Sequence, residues 1–327
     1  MRAAYYDRLG PARDVLRIGD LPKPEPAAGE VRVRVRVSGV NPSDVKMRLG
    51  TGSAATQFPR IIPHSDGAGE IEAVGPGVDK GRRGQRVWLW NARWNRAFGS
   101  CAEYVCLPAA QAVPLPATID FEAGACLGIP ALTAWQAVMT DGGSRGQTVL
   151  VQGGAGAVGR YAIQIAKLKG AKVIATVSSP AKAAIAATAG ADFTVDYKSE
   201  DLVKRIKALT DGRGVDRVIE VDLAANIKLL PQVVADYGLV AVYGSGAREI
   251  PIGFGESIIG NIGYRFFIVY NQPPALRAEA LQDLTRLLEA DRLTHAIGAR
   301  FPLDRIAEAH EAVESGKVAG NVVVTIG

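Results

Sequence analysis

Cysteine is scarce in this sequence: Cys101, Cys106 and Cys126 are its whole complement. They are odd in number and form no metal-type cluster, and reduced thiols in a cytoplasm are the simplest reading. No apolar run approaches the roughly 18 residues of a membrane-spanning helix, so no membrane partner is expected. The opening residues Met1-Arg2-Ala3-Ala4-Tyr5-Tyr6-Asp7 lack the apolar core of a signal peptide. Internal repeats and low-complexity segments are absent too. A net charge of +5 raises nucleic acid as a partner, but no aromatic residues interleave with a basic stripe to stack bases. Arg32, Arg34 and Arg36 alternate instead with Val31, Val33, Val35 and Val37. That pattern describes a strand with one apolar and one solvated basic face, and no nucleic-acid partner is expected.

What remains is an ordinary globular composition, 48% hydrophobic and 22% charged, over 327 residues. That length suits two domains at about 150 residues each. The first 120 residues are rich in short apolar runs, at 31–37, 69–74 and 86–90, separated by Gly and Pro. After residue 123 strand and helix periods alternate. Strands are expected at 148–152, 172–177, 193–196, 216–221 and 238–243, with helices at 158–169, 180–189, 201–210 and 225–234. Alternation of this kind implies a parallel sheet covered by helices on both faces. Further on, a strand is expected over 266–270, a long helix over 275–290 and a last strand over 321–326.

The most informative stretch is Val149-Leu150-Val151-Gln152-Gly153-Gly154-Ala155-Gly156-Ala157-Val158-Gly159. An apolar strand runs into a glycine turn that opens a helix. Gly154, Gly156 and Gly159 fit G-x-G-x-x-G, which allows a tight turn, close approach of a pyrophosphate, and close packing of helix on strand. The helix N-terminus adds free N–H groups and partial positive charge. Dinucleotide binding is therefore expected from Gly154, Ala155, Gly156, Ala157, Val158 and Gly159. The next strand, 172–177, ends at Ser178-Ser179-Pro180-Ala181-Lys182 with no acid to grip a ribose 2′-OH. Ser and Lys accept a 2′-phosphate, so NADPH is the expected cofactor.

Several further motifs stand in a telling order: Gly39-Val40-Asn41-Pro42-Ser43-Asp44, Ile62-Pro63-His64-Ser65-Asp66-Gly67-Ala68-Gly69, and Gly128-Ile129-Pro130-Ala131-Leu132-Thr133-Ala134. With the glycine loop they make the chain resemble the medium-chain dehydrogenase/reductase superfamily, and within it the zinc-free quinone oxidoreductase branch. The resemblance implies an α/β fold: a Rossmann-type doubly wound parallel sheet at 123–265, and a GroES-like β-barrel catalytic domain from 1–122 and 266–327. It also implies hydride transfer from NADPH to a quinone, with an enone or enoyl reductase as an alternative. A cofactor-binding structural or RNA-binding protein without turnover is a reading of another class. A homodimer formed through the cofactor-domain edge strand, at 262–270, is typical of the family.

The same resemblance assigns residues. Asn41 matches a position beside the nicotinamide ribose and the substrate, or else it only shapes the turn before Pro42. Thr133 matches a position that bonds the nicotinamide carboxamide, or is an ordinary helical Thr. Lys182 and Tyr197 match positions that hold the 2′-phosphate, with Ser178 as a third donor and Gly244 joining the cofactor set. Lys46 stands where quinone reductases often carry Tyr; it either aids the acceptor oxygen or is a solvated surface residue. Zinc-dependent members place Cys and His where Asn41 and Ser65 stand here, and an amide and a hydroxyl are poor zinc ligands, so no metal is expected. The segment Trp88-Leu89-Trp90-Asn91-Ala92-Arg93-Trp94 is open to three readings: a flat substrate wall, a packed loop or a subunit contact.

Overall fold

The computed structural model describes residues 1–51 and 58–327. The chain divides into two compact units, Met1–Ile129 with Leu281–Gly327, and Pro130–Ala280. The expected boundaries, 122/123 and 265/266, fall earlier in the chain. The strand Gly263–Phe266 completes the second unit's sheet, and the helix Pro274–Glu289 runs unbroken through the later crossing point.

The first unit is built on the long strand Glu30–Val40. Val31, Val33 and Val35 point from one face of it into a core with Ile71, Val87, Leu89, Val105 and Leu107. Each fully buried aliphatic side chain of this kind contributes about 1.5–3 kcal/mol. The strand pairs antiparallel with Asp66–Val74, with Tyr104–Pro108 and with the C-terminal strand Asn321–Thr325. The arginine face is not simply wet. Arg32 is buried between Glu25 and Glu72, and Arg36 pairs with Glu70. The positive charge of that face is thus largely neutralised locally.

The second unit holds a six-stranded sheet, every adjacent pair parallel, in the order Phe193–Asp196, Lys172–Val177, Thr148–Val151, Val215–Glu220, Val234–Val242 and Gly263–Phe266. The order reverses between Thr148–Val151 and Val215–Glu220, which makes the switch point of a doubly wound sheet. The helices Ala157–Leu168, Pro180–Thr188 and Leu202–Leu209 connect the strands as the alternation implied.

Two expectations are corrected here. The single helix at 225–234 is two short pieces, Leu223–Asn226 and Leu230–Val233. Pro231 has no N–H to donate to the carbonyl of Ile227, so no continuous helix forms through it. The strand expected at 266–270 lies earlier, at Gly263–Phe266, and Val269–Asn271 is a 3-10 turn. Its partner strand ends at Val242, so the apolar residues beyond Phe267 have no ladder to join.

Candidate functional site

The glycine turn leaves the C-terminal end of Thr148–Val151, the strand at the switch point. The residue that needs left-handed backbone is Gly153, at φ 69°. Gly153 stands just before the G-x-G-x-x-G match, and spacing alone does not single it out. Its N–H donates to Thr176 Oγ1 at 3.0 Å, and Thr176 donates to Gln152 Oε1 at 2.7 Å. A buried hydroxyl on the second strand therefore holds the turn in place. Gly159 is glycine for close packing: a Cβ there would lie 2.3 Å from the Gly153 carbonyl oxygen. Gly154 packs against Ala175, and Gly156 caps the helix Ala157–Leu168. Ala155 is buried, while Ala157 and Val158 are half-buried at the helix start. The opening N–H groups of this 12-residue helix are the donors that suit a pyrophosphate.

The second strand, Lys172–Val177, ends at Ser178 and Ser179. Ser179 caps the helix Pro180–Thr188, accepting the Lys182 N–H at 3.3 Å. The Tyr197 N–H donates to the Val177 carbonyl at 3.1 Å, which brings Tyr197 beside the Ser178 end of the strand. Ser178 and Lys182 are half-buried, and Tyr197 is exposed. One acid, Asp196, lies in the neighbouring strand opposite Val177, and its Oδ1 accepts the Lys198 N–H at 3.0 Å. Gly244 follows Val234–Val242, and its carbonyl accepts the Leu223 N–H at 3.1 Å. Thr133 is buried in the helix Leu132–Met139.

The first unit contributes a separate polar cluster. Asn41 is the N-cap of the helix Pro42–Leu49, with extended backbone at φ −117°, ψ 157°. Asp44 Oδ2 accepts the Asn41 N–H at 2.9 Å, and Asn41 Nδ2 donates to Asp66 Oδ2 at the same distance. Asp66 Oδ2 also accepts the Ile129 N–H at 2.9 Å. Both carboxyls are buried. Burial raises Asp44 to about 7 against the hydrogen bonds that lower it. Burial also raises Asp66 well above the carboxylate range, and the Asp44 charge adds to the rise. Arg93, itself buried, provides the opposing positive charge beside Asp44 and donates from Nη1 to Met47 Sδ at 2.7 Å. Sequence reasoning assigned no chemistry to Asp44 and Asp66, because their meeting depends on the pairing of Gly39 with Asp66 across two strands. Lys46 is exposed on the same helix. Trp88 is fully buried within the strand Arg86–Leu89, so that member of the aromatic segment is core; Trp90 and Trp94 are half-buried.

Asn41 and Ser65 offer an amide and a hydroxyl, and among the described residues no three His, Cys, Asp or Glu side chains converge as a ligand group. His64 is not a substitute ligand. Its Nδ1 lies 2.8 Å from Ser38 Oγ and its Nε2 lies 3.0 Å from His310 Nε2.

The chain is similar to known proteins over its whole length. Residues 27–117 match the alcohol dehydrogenase GroES-like domain, and residues 157–289 match the zinc-binding dehydrogenase family, a segment that contains none of Asn41, His64 and Ser65. The quinone oxidoreductase of Rattus norvegicus is 32% identical over 99% of this chain and 98% of its own. A solved quinone oxidoreductase from Thermus thermophilus, also solved in complex with NADPH, is 31% identical and superimposes over 100% of both chains with a TM-score of 0.86. A structure described as an NAD-dependent alcohol dehydrogenase is 32% identical over 100% of both chains, with a TM-score of 0.89. With its GroES-like domain, its doubly wound sheet and full-length similarity to such relatives, the chain belongs to the quinone oxidoreductase branch of the medium-chain dehydrogenase/reductase superfamily.

Proposed function

We propose that this protein is a zinc-independent, NADPH-dependent reductase that transfers hydride to a quinone or another conjugated acceptor. The observation that carries the reading is the glycine turn at the switch point, followed by a second strand that ends in Ser178 rather than an acid. The backbone N–H groups after Gly156 hold the pyrophosphate, with Thr176 fixing the turn beneath it. Ser178, Lys182 and Tyr197 take the 2′-phosphate. Thr133 bonds the carboxamide, and Gly244 borders the cofactor at the end of its strand. When bound, the reduced nicotinamide supplies the hydride.

Without a metal to polarise a simple carbonyl, the acceptor must delocalise the incoming charge itself, as quinones and enones do. The chain's residues then mainly position and donate hydrogen bonds. Asn41 orients the bound ligand. Lys46, a cation on the helix that Asn41 caps, assists the acceptor oxygen. A homodimer through the edge strand Gly263–Phe266 is supported by the exposed apolar residues around it, Tyr237, Phe254, Ile258, Ile259 and Phe266. A reducing cytoplasm suits three free cysteines, two of them buried.

The test is an acceptor panel run after exhaustive chelation. NADPH oxidation is expected with a para-quinone or a conjugated enone, and none with a primary alcohol and NADP in the reverse direction. Lys46→Met should lower turnover by about 100-fold with the preferred acceptor. Activity lost with a tightly held zinc, or efficient alcohol oxidation, overturns the reading; unchanged turnover in Lys46→Met removes Lys46 from it.

A further inference from the structure

Within the second unit, the switch point of the parallel sheet opens a crevice between two strand ends, the place where such sheets bind ligands. The glycine turn after Thr148–Val151 makes one wall. Val221-Asp222-Leu223, which follows Val215–Glu220, makes the other. The walls stand side by side: a Cβ on Gly153 would lie 3.6 Å from Val221 Cγ1. Val221 is an apolar side chain left 40% exposed there.

Asp222 is the N-cap of the helix Leu223–Asn226, yet its side chain makes no bond to that helix. An Asp at an N-cap ordinarily accepts an N–H from the first turn of its own helix. Asp222 Oδ1 instead accepts the Gly246 N–H at 2.7 Å, from a segment 24 residues further on. The Asp222 backbone is itself held. Glu220, wholly buried, accepts the Asp222 N–H at 2.6 Å and Asn226 Nδ2 at 2.9 Å through Oε1. Next to this contact the Leu223 N–H donates to the Gly244 carbonyl at 3.1 Å. Gly244 is glycine for close approach, since a Cβ there would lie 2.2 Å from the Val221 carbonyl oxygen. Ala247, Arg248 and Glu249, beyond Gly246, are exposed.

We propose that Asp222 is a positioning residue that latches Gly244–Gly246 against the second wall of the crevice, in the form that receives the nicotinamide half of NADPH. This rests on the NADPH reading above. The side follows from strand order. Ser178, Lys182 and Tyr197 take the 2′-phosphate beyond the end of Lys172–Val177, on one side of the switch point. A dinucleotide straddles that point. Its other half lies toward the ends of Val215–Glu220 and Val234–Val242, where Asp222 and Gly244 stand. Asp222 acts there through the Gly246 backbone. Gly244 and Gly246 flank a single serine, and glycine loses the most backbone freedom when it is fixed. A segment already latched gives up less freedom when the dinucleotide arrives, which strengthens binding.

The experiment compares NADPH with adenosine 2′,5′-bisphosphate, which lacks the nicotinamide half. Asp222→Ala removes the acceptor of the Gly246 N–H. It should weaken NADPH binding by about 3- to 10-fold, the equivalent of one net hydrogen bond. NADH should weaken by the same factor, because the 2′-phosphate is not involved, and affinity for the bisphosphate should not change. Asp222→Asn keeps an oxygen for the Gly246 N–H and should restore NADPH binding. Hydrogen exchange in wild type decides the case in which Asp222→Ala does not fold. NADPH should slow exchange of the Gly244–Gly246 amides, and the bisphosphate should not. The latch is overturned by equal weakening of NADPH and the bisphosphate in Asp222→Ala, by unchanged NADPH affinity, or by no recovery in Asp222→Asn. Exchange at Gly244–Gly246 that NADPH leaves unaltered overturns it too. A wild type that binds neither NADPH nor the bisphosphate overturns the NADPH reading, and the latch with it.

Discussion

His64 and His310 stack with ring centroids 5.1 Å apart and Nε2 atoms 3.0 Å apart, both wholly buried. The direction of each proton follows from one end of the chain of contacts. Arg48 Nε can only donate, so His310 Nδ1 accepts it at 3.3 Å. The His310 hydrogen is then on Nε2 and points to His64 Nε2, and His64 Nδ1–H donates to Ser38 Oγ. Arg48 is in turn paired with Glu314. This buried chain holds the segment His64–Asp66 in place, including the left-handed backbone of His64 at φ 77°.

Both rings are neutral in the folded protein. Burial pushes His64 down to about 3 and His310 well below its usual value, with Arg48 and the other ring adding to the latter. The unfolded histidines titrate near 6.5, so below that pH the unfolded chain binds more protons. Their contribution to stability is complete above about pH 6.5 and is lost as pH falls toward 3, by ~1.4 kcal/mol per pH unit for each ring. His310→Gln keeps an acceptor for Arg48 and removes one titrating group. Urea unfolding between pH 7.5 and 5 should show a shallower loss of stability in the variant; an identical slope would contradict the neutral pair.

Asp44 acts in the opposite sense. Its folded value is raised to about 7 by burial, so from roughly pH 4 to 7 the folded protein holds a proton that the unfolded chain has released. Stability linked to Asp44 is complete below the unfolded value and falls as pH rises through 7. Asp44→Asn cannot ionise. Its stability relative to wild type should therefore climb between pH 4 and 7 and level off above, as read by unfolding midpoints. A difference independent of pH would show that Asp44 is ionised throughout.

Lys182 discriminates between cofactors in this account. Losing one hydrogen bond to a charged group, about 1.5–3 kcal/mol, corresponds to a 10- to 100-fold weaker affinity. Lys182→Ala should weaken NADPH binding by that amount and leave NADH unchanged, as measured by titration with both. A variant weakened equally for both would show that Lys182 acts through folding or general charge.

The exposed edge of the six-stranded sheet is expected to pair two copies of the chain. Ile259 is 81% exposed and Phe254 75%, beside a strand with a single neighbour. Light scattering should give a dimer for wild type and a monomer for Ile259→Asp. A monomeric wild type would remove the dimer from the account.

Much of the cofactor unit was legible in the sequence because a parallel sheet writes itself as alternating strand and helix periods, and its ligand turn writes itself in glycine. Gly153 was not legible: spacing favours Gly154, and only the backbone angle shows which glycine makes the turn. The break in the helix expected at 225–234 depends on one residue, Pro231, which the alternation of strand and helix periods does not register. The polar cluster was hidden for another reason. Asn41 and Asp66 are 25 residues apart, and His64 and His310 are 246 apart, so only strand register and tertiary packing bring them together. Local patterns carry no signal for such pairs.

The most direct test of the central claim is a single turnover. Chelated enzyme loaded with one equivalent of NADPH is mixed with a para-quinone, and nicotinamide oxidation and hydroquinone formation are followed together. The account predicts one hydroquinone per NADPH, formed faster than in the absence of enzyme and without metal, and a much poorer reaction when NADH at the same concentration replaces NADPH. Equal rates with and without enzyme, or a requirement for added zinc, would contradict it.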